Sequence, residues 1–244
     1  MINKFKNKIK SLIRENRKVN LKILLQTKEL EWAHIYHDSI RGKKPIEELS
    51  LNIGRWAGNY SFFYILNRIL SDYKPSSILE LGLGESTKFI STYLNNYLPN
   101  TNHIVVEQSL EWSKEFSNRF ELSMNTKIIH CPLEKKIING FEVNSYEKFE
   151  VKINQKFDLY LVDGPFGSPR YSRYDIVSLV ENFKNDDEFI LLLDDTNRPG
   201  EVDTMDQIID ILISKGINCH IGHYEGNKRV STVCSDKYKY LASL

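Results

Sequence analysis

Three aspartates follow two strongly apolar runs of this 244-residue sequence. Asp163 ends the run FDLYLVD, and Asp194 and Asp195 end the run FILLLDD. Runs of this kind are typical of buried parallel strands, whose carboxyl ends meet at one edge of a sheet. We therefore expect the three carboxylates to converge, where they can exchange a proton with a substrate or hold a cation.

Three carboxylates at one edge need a positive charge beside them, because close carboxylates disfavour each other's ionisation. A divalent metal could supply that charge, and so could Arg170, Arg173 and Arg198. The run SPRYSRY carries the first two arginines, and the third follows the paired aspartates. Guanidinium groups also bind carboxylate or phosphate as a fork, so these arginines are candidates for orienting a charged or polar acceptor. A salt bridge to Asp194 would explain Arg198 equally well.

A second candidate site is the stretch ILELGLGESTKF, residues 78–89, in which an apolar run breaks into two glycines and then a helix start. Gly82 and Gly84 allow the backbone to turn sharply and a ligand to approach it closely. Ser86 or Thr87 is placed to cap the helix, with free amides pointing into the site. The dinucleotide pattern G-x-G-x-x-G would require glycine at position 87, which is threonine here.

The next predicted strand, HIVVE, ends in Glu107. An acid at the end of the second strand of such a sheet accepts hydrogen bonds from ribose hydroxyls. The predicted ligand therefore contains an unphosphorylated ribose. A solvated strand end is the alternative interpretation of Glu107, and the combination with the glycine turn favours the ribose role.

The acid and glycines of this turn resemble the first motif of the class I S-adenosylmethionine-dependent methyltransferases. Their pattern, an acid followed by x-G-x-G, is matched by Glu80, Gly82 and Gly84, whereas the usual third glycine is Ser86. The resemblance extends over most of residues 75–244. It implies that the turn receives the methionine part of S-adenosylmethionine and that Glu107 holds the ribose.

The same resemblance assigns further cofactor contacts on either side of the turn. Residues after the third strand would border the adenine, here the stretch from 130 to 133 with Pro132 and Leu133. Helical segments before the first strand often cover the cofactor in this family, which makes Asn59 and Tyr60 candidates for a lid. In the same segment, GRWAGNYSFF, we predict that Trp56 belongs to the core.

The acids after the fourth and fifth strands are similar to those of macrocin-type sugar O-methyltransferases and, more distantly, of catechol-type enzymes. In the sugar enzymes the two runs are D-G-D and D-D, and they bind magnesium. This resemblance implies that Asp163 is the general base and that Asp194 and Asp195 are Mg²⁺ ligands. The second acid of D-G-D is Pro165 here, so a metal-free site with arginines orienting the acceptor stays open.

Apolar runs alternate with amphipathic stretches after residue 75, which predicts an α/β fold with a doubly wound, Rossmann-like sheet. Strands are predicted near residues 78–83, 103–107, 126–131, 157–163 and 189–195, and INCHIGHY with KRVSTVCS forms a terminal antiparallel hairpin. Seven strands follow from this count. We assign residues 1–74 to an N-terminal helical extension or lid and residues 75–244 to the catalytic domain.

The N-terminal segment is a predicted basic amphipathic helix with an apolar stripe of Phe5, Ile9, Leu12 and Ile13 beside lysines and arginines that begin at Lys4. This stripe could contact an anionic membrane surface or a partner, but we favour packing on the main domain or on a second subunit. The scattered cysteines and the lack of a long apolar run predict a cytoplasmic protein, with peripheral contact at the inner membrane surface as the alternative.

These features together predict an S-adenosylmethionine-dependent O-methyltransferase. The resemblance points to a small-molecule or polymer-borne sugar in surface polysaccharide or glycoconjugate biosynthesis. The alternatives are an NAD(P)-dependent oxidoreductase of the same fold and a non-catalytic scaffold. Nucleic acid is a poor candidate partner, because 33 Lys and Arg against 32 Asp and Glu leave a net charge of only +1.

Overall fold

The computed structural model describes residues 2–54 and 56–244 of the chain. Seven of its strands form one sheet, and β4 and β5 form a separate two-stranded sheet. The strands, numbered in chain order, are β1 (Ser77–Leu81), β2 (Asn102–Glu107), β3 (Thr126–His130), β4 (Leu133–Ile138), β5 (Phe141–Tyr146), β6 (Leu159–Val162), β7 (Ile190–Leu193), β8 (His220–Glu225) and β9 (Arg229–Cys234).

The strand order of the main sheet is β3-β2-β1-β6-β7-β9-β8. The first five strands in this order are parallel, and β9 pairs antiparallel with both β7 and β8. The order reverses between β1 and β6, the position at which open α/β sheets bind ligands. The predicted doubly wound seven-stranded sheet with a terminal antiparallel hairpin is therefore confirmed.

Helices cover both faces of this sheet and precede it in an N-terminal extension. They are α1 (Ile2–Ser39), α2 (Lys44–Glu47), α3 (Tyr60–Arg68), α4 (Glu85–Tyr97), α5 (Leu110–Arg119), α6 (Phe149–Lys152), α7 (Asp175–Val180) and α8 (Pro199–Ser214). A π-helical turn, Ile69–Tyr73, continues α3, and a 3-10 helix, Asp236–Ser243, ends the described chain.

Alternate residues of the central strands supply two cores. In β7, Ile190 and Leu192 pack with α3, α4 and the C-terminal part of α1, whereas Leu191 and Leu193 pack with α7 and α8. All four side chains are buried, which is why the strand is apolar at every position rather than at every second one. The same burial fixes the carboxyl end of β7, and with it the aspartates that follow.

The hairpin of β4 and β5 was not among the predicted strands. Its sequence, LEKKIINGFEVNSY, carries the Asn-Gly pair that favours a two-residue turn, and Asn139 and Gly140 both have positive φ, 49° and 83°. The side chains of β4 alternate between exposed and half-buried, so its apolar signal is weak. The Asn-Gly pair was the signal that could have identified this hairpin.

Helix α1 is continuous from Ile2 to Ser39, and the chain then bends at Gly42, whose φ is +84°. The expectation that the N-terminal stripe packs on the main domain is wrong for its described side chains. Ile9, Leu12 and Ile13 are all at least 41% exposed. The side chains of Lys4 and Phe5 lie outside the described part of the chain.

Trp56 is 92% exposed, so its predicted place in the core is also wrong. It lies in an irregular segment between α2 and α3 that packs through Ala57 instead. Among the described residues, no helix is both long enough and apolar enough to cross a bilayer. Cys131 and Cys234 are buried and Cys219 is half-buried, and all three are free thiols.

Candidate active site

The glycine turn joins β1 to α4 at the point where the strand order reverses. Gly82 has a φ of 101°, which disfavours any other residue, and a methyl group added there would lie 3.2 Å from the amide nitrogen of Gly164. An added methyl group at Gly84 would meet no heavy atom within 4 Å. The turn therefore packs against the end of β6 on one side and faces open space on the other.

Three predicted cofactor residues support this turn from within. The Glu80 carboxylate is fully buried, accepts a hydrogen bond from Ser86, and lies 3.0 Å from Nε2 of His103. The Thr87 hydroxyl accepts a hydrogen bond from the Gly84 amide at 3.1 Å. Gly84, rather than Ser86 or Thr87, occupies the N-cap position of α4. The observed contacts of these side chains hold the turn in shape, and direct contact with a cofactor stays a prediction.

Glu107 joins the end of β2 to the glycine turn. Its carboxylate accepts hydrogen bonds from the Leu83 amide at 3.1 Å and from the Ser109 amide at 2.7 Å. Each oxygen keeps a further acceptor position, since a carboxylate oxygen has two lone pairs. The stretch containing Pro132 and Leu133 lies beside this acid, because the Cys131 amide donates to the Glu107 carbonyl oxygen at 2.9 Å. The ribose and adenine contacts remain predictions that this placement allows.

The three aspartates converge at the carboxyl ends of β6 and β7. One oxygen from each of Asp163, Asp194 and Asp195 lies within 4.8 Å of the others. Their side chains are 21%, 0% and 3% exposed, respectively. The predicted convergence is confirmed, and Asp163 is the most exposed of the three.

Arg173 lies between two of these carboxylates. Its Nη2 atom is 2.9 Å from Oδ1 of Asp163 and 2.9 Å from Oδ2 of Asp195, and its Nε atom is 3.8 Å from Oε1 of Glu201. Burial alone would lower the pKa of Arg173, but the surrounding carboxylates of Asp163, Asp195 and Asp194 outweigh it and raise that pKa. The guanidinium is therefore a permanent positive charge inside the cluster.

Lys228 is a further cation of the cluster that the sequence analysis missed. Its Nζ atom lies 3.5 Å from Oδ2 of Asp194 and 3.5 Å from Oδ1 of Asp195, and it donates to the Ala57 carbonyl oxygen at 2.9 Å. Lys228 precedes β9, which runs antiparallel to β7 and so begins where β7 ends. A cation in the turn of the predicted terminal hairpin was the signal that could have identified it.

The other two predicted arginines differ in position. Arg198 borders the cluster, with Nη2 at 3.0 Å from Oδ1 of Asp195 and a side chain that is 51% exposed. Arg170 instead pairs with Asp203 through two contacts, at 2.5 and 2.8 Å, and its guanidinium lies over the Phe141 ring. The structure therefore brings Arg173 and Arg198 to the carboxylates and does not bring Arg170 there.

The predicted lid residues are engaged elsewhere. Asn59 is fully buried, caps α3 by accepting the Phe62 amide at 3.3 Å, and donates to Oε2 of Glu29 at 2.8 Å. The Tyr60 ring packs against the ring of Tyr36 in α1, with the two centroids 5.8 Å apart. These contacts hold α1 and α3 together within the N-terminal extension.

Burial gives Asp163 the properties of a base. Desolvation raises the pKa of Asp163 to about 7, with Arg173 opposing the shift and the Asp194 and Asp195 carboxylates adding to it. Desolvation, followed by the Asp195 charge, also raises the pKa of Asp194. A carboxylate with a pKa near neutrality can both accept and release a proton under physiological conditions. Oδ1 of Asp163 faces Arg173, and no hydrogen bond or ion pair among the described residues uses Oδ2.

The cluster does not fit the predicted Mg²⁺ ion. Magnesium requires oxygen ligands at about 2.0–2.1 Å in octahedral geometry. Oδ1 of Asp194 and Oδ1 of Asp195 accept no hydrogen bond from the residues that the structure describes, but Arg198 and Lys228 already lie beside the second of these atoms. Among the described residues, three cations thus face three aspartates, and Pro165 replaces one of the expected ligands.

No protein-family profile matches the chain, and no curated protein sequence matches it. Solved structures of low similarity include an S-adenosylhomocysteine-bound methyltransferase, PaMTH1, from Podospora anserina, at 12% identity over 91% of this chain and 96% of that one, with a TM-score of 0.47. A putative O-methyltransferase from Klebsiella pneumoniae has 10% identity, covers 84% and 89% of the two chains, and has a TM-score of 0.47. The precorrin-6y C5,15-methyltransferase of Geobacter metallireducens GS-15 has 11% identity, covers 78% and 94%, and has a TM-score of 0.44. At these levels of similarity, none of them assigns an activity to this chain.

Proposed function

We propose that the chain is an S-adenosylmethionine-dependent O-methyltransferase that acts on a sugar hydroxyl. The observation that carries this proposal is the contact between the glycine turn and the base. Gly82 packs against the backbone of Asp163 and Gly164. A methyl group added at Gly82 would lie only 3.2 to 3.4 Å from backbone atoms of these two residues. A ligand on the turn would therefore lie beside a partly exposed carboxylate whose pKa is about 7.

The cofactor would be held by the glycine turn and Glu107, which offer open backbone and unused acceptor positions. S-adenosylmethionine supplies an electrophilic methyl group when it is bound there. The open space above Gly84 leaves room for a ligand that approaches the backbone closely. Glu107 is already fixed by two backbone amides, so it would offer its remaining lone pairs to ribose hydroxyls without reorganisation.

Asp163 would accept the proton of the attacking hydroxyl on Oδ2. Arg173 holds the opposite oxygen, Oδ1, at 2.9 Å and so orients the carboxylate. As the proton moves to Oδ2, the acceptor oxygen gains the nucleophilic character that methylation requires. The buried Asp194 and Asp195 do not reach the acceptor themselves, and they act by keeping Arg173 and Lys228 in place.

A sugar acceptor is supported by the resemblance to macrocin-type enzymes and by two exposed side chains near the cluster. Trp56 is exposed and adjacent to Ala57, whose carbonyl oxygen accepts the hydrogen bond of Lys228. An aromatic ring can cover the apolar face of a sugar, and the exposed Arg198 can pair with a phosphate or carboxylate of the acceptor. A nucleotide-linked or polymer-borne sugar of surface polysaccharide biosynthesis would present both features.

Titration calorimetry with S-adenosylmethionine, S-adenosylhomocysteine and NAD tests the proposal. We expect S-adenosylmethionine and S-adenosylhomocysteine to bind and NAD not to bind. Binding of NAD alone would identify a nicotinamide-dependent oxidoreductase, and binding of none of the three would favour a non-catalytic scaffold. Transfer of a labelled methyl group to a panel of nucleotide sugars then identifies the acceptor, and transfer to none of them would remove the sugar from the proposal.

A further inference from the structure

We infer that Arg173 and Lys228 take the place of a divalent metal, so that the chain needs no metal ion at its carboxylate cluster. The catalytic meaning of this inference rests on the proposed function, but the ion-binding property does not. The carboxylates themselves match a metal site, since one oxygen of each lies within 4.8 Å of the others. The cluster differs from a metal site in that Arg173 and Lys228 already contact its carboxylates.

The backbone fixes Arg173 in this position. Its φ is +58°, in the left-handed region that residues other than glycine, asparagine and aspartate seldom adopt. The preceding residue, Ser172, donates its amide to the Gly200 carbonyl oxygen at 2.9 Å and accepts from the Thr204 hydroxyl. The guanidinium also donates to the Asp194 carbonyl oxygen at 3.1 Å. The guanidinium would therefore have to give up its contacts with the Asp194 carbonyl oxygen and with the Asp163 and Asp195 carboxylates to leave the cluster.

Lys228 contacts carboxylate oxygens that Arg173 does not contact, and its own anchor is separate from that of Arg173. Its Nζ atom donates to the Ala57 carbonyl oxygen and lies at equal distances, 3.5 Å, from Asp194 and Asp195. A divalent ion bound to these two carboxylates would lie within a few ångströms of that ammonium group. Repulsion at about 4 Å amounts to several kcal/mol at the effective dielectric constant of a protein surface. The lysine would have to be displaced before the ion could bind.

Ion binding to the full chain tests this inference without any assay of methyl transfer. Mn²⁺ would be titrated into the wild type and into Lys228→Gln, with free Mn²⁺ followed by its electron paramagnetic resonance signal. We expect no saturable binding at the wild-type cluster. Removal of the ammonium charge should produce saturable Mn²⁺ binding at least about tenfold tighter than the detection limit set by the wild type, since about 1.4 kcal/mol corresponds to that factor. Lys237→Gln, which removes an exposed lysine paired with Glu188, is the matched control and should bind as the wild type does.

Each result supports or overturns the inference. Saturable Mn²⁺ binding by the wild type would overturn it, and so would a folded Lys228→Gln protein that binds no more Mn²⁺ than the control. Circular dichroism verifies folding of both variants. If calorimetry shows cofactor binding and methyl transfer is found, EDTA should leave the rate unchanged. Inhibition by EDTA that Mg²⁺ reverses would overturn the metal-free site while leaving the methyltransferase proposal intact.

A second inference concerns the free face of α1, and it rests on independent observations. Glu29, Trp32 and Tyr36 line the face that contacts the domain, and Nε1 of Trp32 donates to the Glu225 carbonyl oxygen at 2.9 Å. At 100° per residue, the opposite face carries an apolar stripe. The stripe consists of Ile9, Leu12, Ile13, Val19, Ile23, Leu24 and Leu30, each between 41% and 64% exposed. From residue 25 onward the helix uses one face to contact its own domain, whereas every described side chain between residues 6 and 24 is exposed.

The remaining surface of this part of the helix is strongly basic. Residues 6–24 carry one acid, Glu15, and the basic residues Lys6, Lys8, Lys10, Arg14, Arg17, Lys18 and Lys22. None of these basic side chains forms an ion pair within the part of the chain that the structure describes. Residues 6–24 therefore carry a net charge of +6, whereas the whole chain carries +1, so the rest of the chain is net acidic.

We propose that the exposed face of α1 binds an anionic lipid surface. An apolar stripe between rows of lysine and arginine is the pattern of helices that lie in the bilayer interface, where each basic residue contributes about 1 kcal/mol. Parallel packing of two copies along the same stripe would place the basic rows of both helices side by side, and their repulsion disfavours that arrangement. The charge of the flanks therefore selects a lipid surface over a second copy of the chain.

Vesicle co-sedimentation of the full chain tests this second inference. We expect binding to phosphatidylcholine vesicles containing about 30% phosphatidylglycerol, weaker binding at about 0.5 M salt, and none to pure phosphatidylcholine. The double variant Ile13→Asp/Ile23→Asp should bind about tenfold or more weakly, because it places two charges in the stripe. Val151→Asp, an exposed apolar position of α6, is the matched control and should bind as the wild type does.

Three outcomes would overturn the lipid assignment. They are absence of vesicle binding, equal binding to both kinds of vesicle, and binding that the double variant retains. Sedimentation velocity would show whether the wild type is instead a dimer that Ile13→Asp/Ile23→Asp converts to a monomer. Such a dimer without vesicle binding would assign the stripe to a second copy of this chain.

Discussion

Asp163 combines a raised pKa and a fixed orientation with an exposure that Asp194 and Asp195 lack. The Asp194 and Asp195 side chains are buried, whereas Asp163 keeps 21% of its side-chain surface exposed and has one oxygen that pairs with no cation in the described part of the chain. Burial makes its charged form less favourable, so the pKa of the Asp163 carboxyl rises toward 7. A residue with these properties can be tested by its titration and by its removal.

The rate of methyl transfer should rise with pH through about 7 and level off above it, because Asp163 must be ionised to accept a proton and its pKa is about 7. The measurement is kcat/KM against pH with the first nucleotide sugar that serves as acceptor. Asp163→Asn should lower the plateau by about 10²- to 10⁴-fold while S-adenosylhomocysteine binding persists. A variant that keeps full turnover and the same pH profile would show that another group is the base.

Gly84 and Gly164 should respond differently to alanine, although both lie near the proposed cofactor. A methyl group at Gly164 would lie 2.5 Å from the Tyr146 hydroxyl and 2.9 Å from the Gly82 backbone, so Gly164→Ala should lower the melting temperature. Gly84 has an extended backbone and open space around it, so Gly84→Ala should keep the wild-type melting temperature and lose S-adenosylhomocysteine affinity. Calorimetry and thermal unfolding together check this, and wild-type affinity in Gly84→Ala would place the cofactor elsewhere.

The β4–β5 hairpin packs against the ends of the strands that carry the site. Asp175, at the start of α7, accepts hydrogen bonds from the Ser145 hydroxyl at 2.5 Å and the Tyr146 amide at 3.0 Å. The Tyr146 ring is buried beneath Gly164, and its hydroxyl donates to the Val106 carbonyl oxygen at 3.3 Å. One buried carboxylate therefore connects the hairpin to α7 and, through Tyr146, to the ends of β2 and β6.

Asp175→Asn should stabilise the protein at pH 8 and have little effect at pH 4.5. Burial raises the pKa of Asp175 from 3.8 to about 6, with the Ser145 and Tyr146 hydrogen bonds opposing the shift. The folded state thus holds this proton more tightly than the unfolded state, so the contribution of Asp175 to stability falls as pH rises from about 4 to 6. Asparagine keeps an acceptor oxygen and carries no charge, and the gain at pH 8 should be roughly 1–3 kcal/mol.

Denaturant unfolding at the two pH values measures this effect. Asp175→Ala is the companion variant, because it removes the acceptor of both hydrogen bonds and should destabilise the protein at either pH. If Asp175→Asn were less stable than the wild type at pH 8, the negative charge would be needed to hold the hairpin.

At the scale of the whole molecule, Glu29 joins the N-terminal extension to the edge of the site. Its carboxylate accepts hydrogen bonds from the Tyr60 amide at 2.9 Å, the Asn59 side chain at 2.8 Å and the Asn227 amide at 2.8 Å. Asn227 precedes Lys228 in the turn between β8 and β9. A single buried acid of α1 therefore holds both α3 and the turn that presents the cluster lysine.

Glu29→Ala should lower the free energy of unfolding by about 1–3 kcal/mol, because two partly buried backbone amides and the Asn59 side chain would lose their acceptor. Chemical unfolding of the full chain measures it. Glu225→Ala is the control, since Glu225 forms a half-exposed ion pair with Lys28, and its loss should cost less than about 1 kcal/mol. Equal effects of the two substitutions would show that α1 is only loosely attached to the domain.

Local sequence patterns were sufficient for the parts of the site that depend on neighbouring residues. The apolar runs before Asp163 and Asp194 predicted buried strands, and the order of strands brought their carboxyl ends together as expected. The turn at Gly82 and Gly84 was likewise predicted and lies where the order reverses. The β4–β5 hairpin was missed because its strands are half-exposed and alternate weakly, even though its Asn-Gly turn was present in the sequence.

The sequence by itself determined the α/β sheet, the glycine turn and the edge at which the aspartates meet, because apolar periodicity and turn residues act over a few positions. Only the tertiary structure decided which cation faces which carboxylate. Arg173 and Asp195 are 22 residues apart, Lys228 and Asp194 are 34 apart, and Glu29 and Asn227 are 198 apart. Such pairings depend on the way in which long side chains pack in the space between elements that are distant in sequence. Arg170 therefore pairs with Asp203, and Lys228, which was not predicted, lies in the cluster.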